Sequence, residues 1–261
     1  MLKLPEVENP HIYVFGAGGT GGFALEFLSR LFANASQRVT IEIFDGDAVE
    51  NKNLKRQNFV VDDLDKNKST ALISRLKKQV VTPPTLVDHT EYVTSADDLE
   101  AEILGNTEED ETAIVVLAVD NIATRRLINQ VIEDLEDVLT IIALDSGNDN
   151  QGGQVVVYAN TDVVDTPLLG QSRNVRLQTM LKLYPEIDII KDGRDENPGL
   201  TSYCAEESND KPQSMMANVR NGEVLASLVY QISQNQPLPY NVWNSSILTS
   251  TTKGELKGVS E

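Results

Sequence analysis

Five of the seven residues at 16–22 are glycine (Gly16-Ala17-Gly18-Gly19-Thr20-Gly21-Gly22). They stand between a short apolar run at 11–15 and a stretch at 20–32 with apolar residues every three or four positions. This restricts the local fold severely. So few Cβ atoms permit a tight turn, a close approach of backbone to a ligand, and tight packing of a helix on the strand before it. The N–H groups and dipole at the start of such a helix favour an anion, and in this context the anion is a nucleotide phosphate. A turn that serves packing alone is the simpler alternative. The loop by itself does not say which nucleotide.

The same rhythm continues along the chain. Apolar runs at 39–44, 85–88, 113–119 and 138–144 read as strands buried on both faces, and 66–80, 95–104 and 122–135 carry helical spacing. This alternation predicts an α/β fold: a Rossmann-like, mostly parallel sheet with helices on both faces. The acidic stretch 107–111 reads as a solvated loop. After 144 the rhythm changes. Gly152 and Gly153 precede an apolar run at 154–159, and a polar segment bearing Pro and Gly then extends to about 212. A long helix is expected at about 213–233, and the tail from 242 suggests one or two short strands, so C-terminal antiparallel strands and a long helix complete the fold. We divide the chain into a nucleotide-binding core at 1–160 and a crossover loop, long helix and terminal strands at 161–261 packed on the same domain. A length of 261 residues suits one such domain.

Charge narrows the partners. Against 40 Asp and Glu there are only 22 Lys and Arg, a formal charge of -18. Such a balance repels phosphate backbones and anionic lipid, which argues against nucleic acid and membrane as direct ligands. Cys204 is the one cysteine, so no intramolecular disulfide framework and no Cys-rich zinc site is expected. No apolar run reaches the roughly 18–20 residues of a membrane span. The N-terminus also lacks the layout of a signal peptide, so the expectation is a soluble, cytoplasmic protein.

Beyond the glycine turn, Asp45-Gly46-Asp47 ends the second strand, where a carboxylate can accept hydrogen bonds from ribose hydroxyls. That placement suits NAD and ATP alike. The residues just beyond it are less neutral, for Asn53, Arg56, Gln57 and Lys68 cluster there. Mobile cationic heads over a phosphate loop have little use in hydride transfer. They are needed for attack on a phosphate, where negative charge builds on the oxygens around phosphorus. A solvated basic face is the plain alternative. At the end of the fourth strand, Asp120-Asn121 precedes Arg125, and Asp120 should face the glycine turn. A carboxylate there can hold Mg²⁺ or cap the helix that begins near 122.

These residues together resemble the ThiF/MoeB/HesA superfamily, the bacterial relatives of ubiquitin-activating enzymes. The resemblance rests on Gly-x-Gly-Gly-x-Gly at 16–21, the Asp-x-Asp-x-Val-x-x-x-Asn-Leu-x-Arg-Gln run at 45–57, Lys68 and Asp120-Asn121, and covers about 11–160. The later part, with Asp145-Ser146-Gly147-Asn148 and Tyr203-Cys204-Ala205-Glu206, is similar to the short ThiF-like proteins of PRTRC plasmid systems. The resemblance implies ATP- and Mg²⁺-dependent adenylation of a carboxylate, typically the C-terminal glycine of a small ubiquitin-like β-grasp protein, by a homodimer. Carried over, Gly16, Gly18, Gly19 and Gly21 would cradle phosphate, and Asp45 would bind ribose with Asp47 beside it. Asn53, Arg56, Gln57 and Lys68 would contact phosphates, Asp120 would hold Mg²⁺, and Asn121 would line the nucleotide. The paired Cys-x-x-Cys zinc motifs of familiar members are absent, as is an arginine in residues 1–10 that would reach a partner subunit.

Cys204 lies in a polar stretch where relatives place a sulfur-handling cysteine, which makes it a candidate for acyl transfer. Its neighbours Glu206 and Glu207 would discourage the thiolate. The two histidines, His11 and His89, have no matching nucleophile and receive no catalytic role. Two other functions stay open: an NAD-dependent oxidoreductase and a nucleotide-binding adaptor without turnover.

Overall fold

In a computed structural model, residues 1–108, 111–149, 151–167, 170–185 and 214–260 are described. An eight-stranded sheet dominates. Its strands, in spatial order, are β11 (Thr251–Glu255), β10 (Val242–Ser246), β7 (Gly152–Ala159), β6 (Thr140–Asn148), β5 (Thr112–Leu117), β2 (His11–Phe15), β3 (Thr40–Phe44) and β4 (Thr85–His89). The five strands from β6 to β4 are parallel. The β7, β10 and β11 strands join antiparallel. Helices α1 (Gly19–Leu31), α2 (Lys68–Gln79), α3 (Ala96–Asn106) and α4 (Ile122–Asp134) connect the parallel strands. Every residue of β2 and β5 is buried, as both-face coverage requires.

The order of strands decides where a ligand can sit. From β2 the chain builds outward to β3 and β4, then crosses back to lay β5 on the other side of β2. Right-handed crossovers in opposite directions place their helices on opposite faces. The packing agrees, for α1 meets α2 whereas α3 meets α4. At such a reversal the connections leave to either side, and a crevice opens beyond the carboxyl ends of β2 and β5.

The C-terminal helix α6 (Met215–Ser233) lies against α1, β6 and β7, so it covers the α1 face rather than standing apart. Its buried side chains include Leu225, Leu228, Val229 and Ile232. Between β7 and α6 the sequence showed only polarity, yet β8 (Val163–Asp165), β9 (Arg173–Leu177) and the single turn α5 (Met180–Leu183) form there. The β8 and β9 strands pair with β1 (Leu2–Lys3) and β12 (Val259–Ser260) in a second, antiparallel sheet. Strands of two to five residues carry no readable periodicity, and their partners lie far away in sequence. The tail therefore holds three strands where one or two were expected. Among the described residues, no helix is long and apolar enough to cross a membrane.

Candidate functional site

A cavity of about 330 Å³ opens at the strand reversal, within the range of cofactor sites. Gly16, Gly18, Gly19, Asp45, Asp47, Asn53, Arg56, Gln57, Lys68, Asp120 and Asn121 all line it, although the sequence spreads them over a hundred positions. Gly21 does not. A Cβ on Gly21 would fall 1.8 Å from the Gly16 carbonyl oxygen, so its role is to let helix α1 start against the turn. Gly16 adopts φ +95°, and a Cβ there would meet the Ala118 carbonyl at 2.5 Å. Both positions therefore require glycine for close approach. Cys204 lies outside the described residues.

On the β3 side, Asp45 ties the turn to the sheet. Its carboxylate accepts hydrogen bonds from the Ala17 N–H at 2.7 Å and the Asp47 N–H at 2.9 Å. Burial pushes its pKa up, against the pull of Lys68. Lys68 begins helix α2, whose N-cap is Asn67. Its ammonium donates to Asp47 at 2.6 Å, and the residue is only 7% exposed. Burial alone would weaken the charge of both partners, but their attraction outweighs it, so the Asp47 pKa falls and that of Lys68 rises. The expectation of a mobile lysine is thus corrected: Lys68 is held by an ion pair at the cavity wall. The Tyr92 hydroxyl also donates to Asp47, and its ring occupies the space that a Cβ on Gly46 would enter, at 2.6 Å.

The 53–57 segment closes this side. Asn53 is buried, and its side-chain oxygen accepts from the Glu50 N–H at 2.7 Å, so it shapes its own loop. Gln57 sits over the glycine turn with its buried amide oxygen lacking any donor among the described residues. The Arg56 side chain lines the cavity half-buried and has no ion-pair partner among the described residues, in contrast to Lys68.

On the β5 side, Asp120 stands open to the cavity, yet protein crowds the cleft around it. Its pKa rises from loss of water, with Lys68 pulling it down and Asp47 and Asp45 pushing it up. Asp120 does not cap α4. That cap is Asn121, whose side-chain oxygen accepts from the Thr124 N–H at 2.7 Å. Asn121 reaches the cavity wall while its oxygen also holds the first turn of the helix.

Arg125 does more than its sequence position suggested. It is buried, pairs with Asp145, and donates to the Val119 carbonyl at 2.7 Å and the Ser146 carbonyl at 3.2 Å. It therefore braces the ends of β5 and β6 together. Burial pushes the Asp145 carboxyl up to about 6, although Arg125 opposes this. Sequence reasoning missed one residue that supports the wall from behind without lining the cavity. Asn218 on α6 donates to the Arg56 carbonyl at 2.9 Å and accepts from Asn148 at 2.5 Å. Nothing local could have marked Asn218, because its partners lie 162 and 70 residues away. Chemically, the cavity walls offer backbone N–H groups, the cations of Lys52, Arg56, Lys68 and Arg125 and the carboxylates of Asp45, Asp47, Glu50, Glu91 and Asp120, a mixture that fits an anionic ligand accompanied by a hard cation.

Comparisons with known proteins agree with this architecture. The ThiF family profile matches residues 3–236. No curated protein matches the chain. Among solved structures, E. coli MccB with ATP superposes with a TM-score of 0.59 at 18% identity, covering 97% of this chain and 65% of that one. The microcin C7 biosynthetic enzyme MccB in complex with N-formylated MccA gives 0.60 at 19% identity, covering 97% and 66%. PaaA gives 0.58 at 18% identity, covering 96% and 64%. The chain thus spans 64% to 66% of the length of these structures, and at such identity the likeness is one of fold. The family match, by contrast, takes in every wall of the cavity together with helix α6, and the chain belongs to the ThiF family.

Proposed function

We propose that this chain uses ATP to adenylate a carboxylate, and that the carboxylate is the C-terminal glycine of a small ubiquitin-like β-grasp protein. The observation that carries the reading is the meeting of Arg56, Lys68 and Asp120 with the glycine turn on one cavity. Membership of the ThiF family supports it. MccB solved with ATP and in complex with N-formylated MccA supports both ATP use and a partner molecule on the same fold.

In the reaction a carboxylate oxygen attacks the α-phosphorus of ATP, the bond to the β-phosphate bridge breaks, and acyl adenylate and pyrophosphate result. A carboxylate approaching an anion is a poor nucleophile, so the protein must hold it in line and cancel charge. Arg56 offers a guanidinium, unpaired with any carboxylate among the described residues, that can take phosphate oxygens in a fork. Lys68 exchanges Asp47 for phosphate, a swap that needs little movement because the ammonium already lies at the wall. Gln57 carries an acceptor without a donor among the described residues, and a nucleotide brings hydroxyl and amino donors as well as phosphate. Asp120, with Asp45 and Asp47 beside it, offers the hard oxygen atoms that Mg²⁺ takes, and the ion would supply further neutralisation at phosphate. A second step, attack of the Cys204 thiolate on the acyl carbon with release of AMP, rests on the sequence alone.

ATP–pyrophosphate exchange tests the adenylation. Exchange should require a Gly-terminated β-grasp protein and should vanish in Arg56→Ala. No exchange with any such protein, together with tighter binding of NAD than of ATP, overturns the reading. For the second step, a conjugate that survives a denaturing gel, disappears with thiol reductant and is absent in Cys204→Ser is expected.

A further inference from the structure

The chain has two histidines, and the fold brings both to one carboxylate that does not line the cavity. Glu42 lies in the middle of β3 and is only 3% exposed. His11, at the start of β2, places its Nε2 atom 2.6 Å from Glu42 Oε1. His89, at the end of β4, places Nε2 2.7 Å from Glu42 Oε2. From helix α3, Glu102 brings Oε1 to 3.8 Å of that same His89 nitrogen. Donor atoms of Glu42, His89 and Glu102 all lie within 4.8 Å of one another.

A charged carboxylate inside a sheet is costly unless its oxygens are fully used. Here the two strands that flank β3, together with a helix, bring polar side chains to one. We propose that Glu42, His89 and Glu102 bind a divalent transition-metal ion of the zinc class, with His11 holding the Glu42 carboxylate from behind. The donor set is right for such an ion: imidazole and carboxylate without thiolate. Bond lengths of about 2.0–2.2 Å put the ligand atoms around zinc roughly 3.2–3.6 Å apart. The two distances at His89 Nε2, 2.7 and 3.8 Å, bracket that spacing, so small side-chain adjustments close the site. Glu102 is able to make the larger one, because its side chain is 39% exposed and is otherwise held only by the Asn106 amide one turn along the same helix, among the described residues. With neutral imidazoles the cluster carries two negative charges, which a dication balances. His11 then plays the part that outer-shell partners play around metal ligands, orienting the carboxylate that binds.

The site also has a line to the cavity. The His89 ring stacks on Phe44 at 4.0 Å between centroids, Phe44 stacks on Phe15 at 4.8 Å, and both phenylalanines line the cavity. An ion on His89 would hold this ring layer still from the far side.

The test uses the full chain without a histidine tag, stripped with chelator and dialysed against zinc alone, with bound metal measured by mass spectrometry. One zinc per chain is expected. Glu102→Gln should weaken binding at least tenfold. His89→Phe keeps a ring against Phe44 and should abolish binding, while His11→Gln should weaken it about 10- to 100-fold. Circular dichroism on each variant reports whether it folds, and Glu102→Gln, at a half-exposed helix position, decides the matter should the others not fold. At one fixed zinc concentration the metal should raise the melting temperature of the parent chain more than that of Glu102→Gln. Three results overturn the proposal: no zinc retained by the parent chain, full zinc retained by Glu102→Gln, or zinc lost in Asp120→Ala while kept in Glu102→Gln, which would place the ion in the cavity.

Discussion

The two walls of the cavity are each held by an ion pair, but the pairs are built differently. On the β3 wall, Lys68 meets Asp47 with side chains 9% and 24% exposed, and Asp47 also accepts from Tyr92. On the β5–β6 wall, Arg125 meets Asp145 with side chains 5% and 0% exposed, and the guanidinium further engages two strand-end carbonyls. The first pair has solvent and cavity beside it, so a phosphate can replace the aspartate without stranding a charge. In the second, Arg125 also lines the cavity, but Asp145 is wholly buried, so moving the guanidinium to a ligand would strand its charge. The difference teaches that one wall is an exchangeable contact and the other a fixed brace, and that burial rather than the presence of opposite charges separates them.

Cutting the brace should have the largest effect. Arg125→Met leaves the Asp145 carboxylate buried without its cation, and stability should fall by about 3–5 kcal/mol, measured by urea unfolding. Lys68→Ala should show the opposite division. Pyrophosphate exchange should drop about 10²- to 10³-fold, as for loss of a transition-state charge partner, while stability changes by about 1 kcal/mol. Equal stability losses in the two variants would break the comparison.

A pH titration sharpens it. The Asp145 pKa is raised in the folded chain to about 6, so the folded state binds its proton more tightly than the unfolded state. That contribution to stability is full below the ordinary carboxylate range, near 3.8, and is lost as pH rises through about 6. Stability of the parent chain relative to Asp145→Asn should therefore grow between pH 7 and pH 5, by on the order of 1 kcal/mol. A flat difference would mean that Arg125 keeps the carboxylate ionised throughout. The smallest effect is expected from Tyr92→Phe, which removes one half-exposed hydrogen bond to Asp47 and should cost about 1 kcal/mol or less.

Several of these features could be read from the chain and others could not, for identifiable reasons. The glycine turn, the parallel strands and the grouping of Arg56, Lys68 and Asp120 follow from local composition and from the rule that ligands sit at strand ends. The tether on Lys68 does not, because Asp47 reads equally well as a ligand residue until its distance to the ammonium is known. Asn121 and Asp120 are adjacent, and which of them caps α4 depends on backbone angles that composition leaves open. The sheet of β1, β8, β9 and β12 escaped because its partners, such as Leu2 and Asp165, meet only through the finished fold.

What the amino-acid order decided alone was the repeating strand-and-helix pattern and the turn at 16–22, since periodicity and the absence of Cβ atoms act within a few residues. Tertiary structure decided which charges are paired, which helix carries Asn218 to the Arg56 loop, and that both histidines meet Glu42. Those outcomes depend on distances between segments brought together by sheet pairing, and hydrogen bonds and ion pairs vary too steeply with distance to be inferred from spacing along the chain.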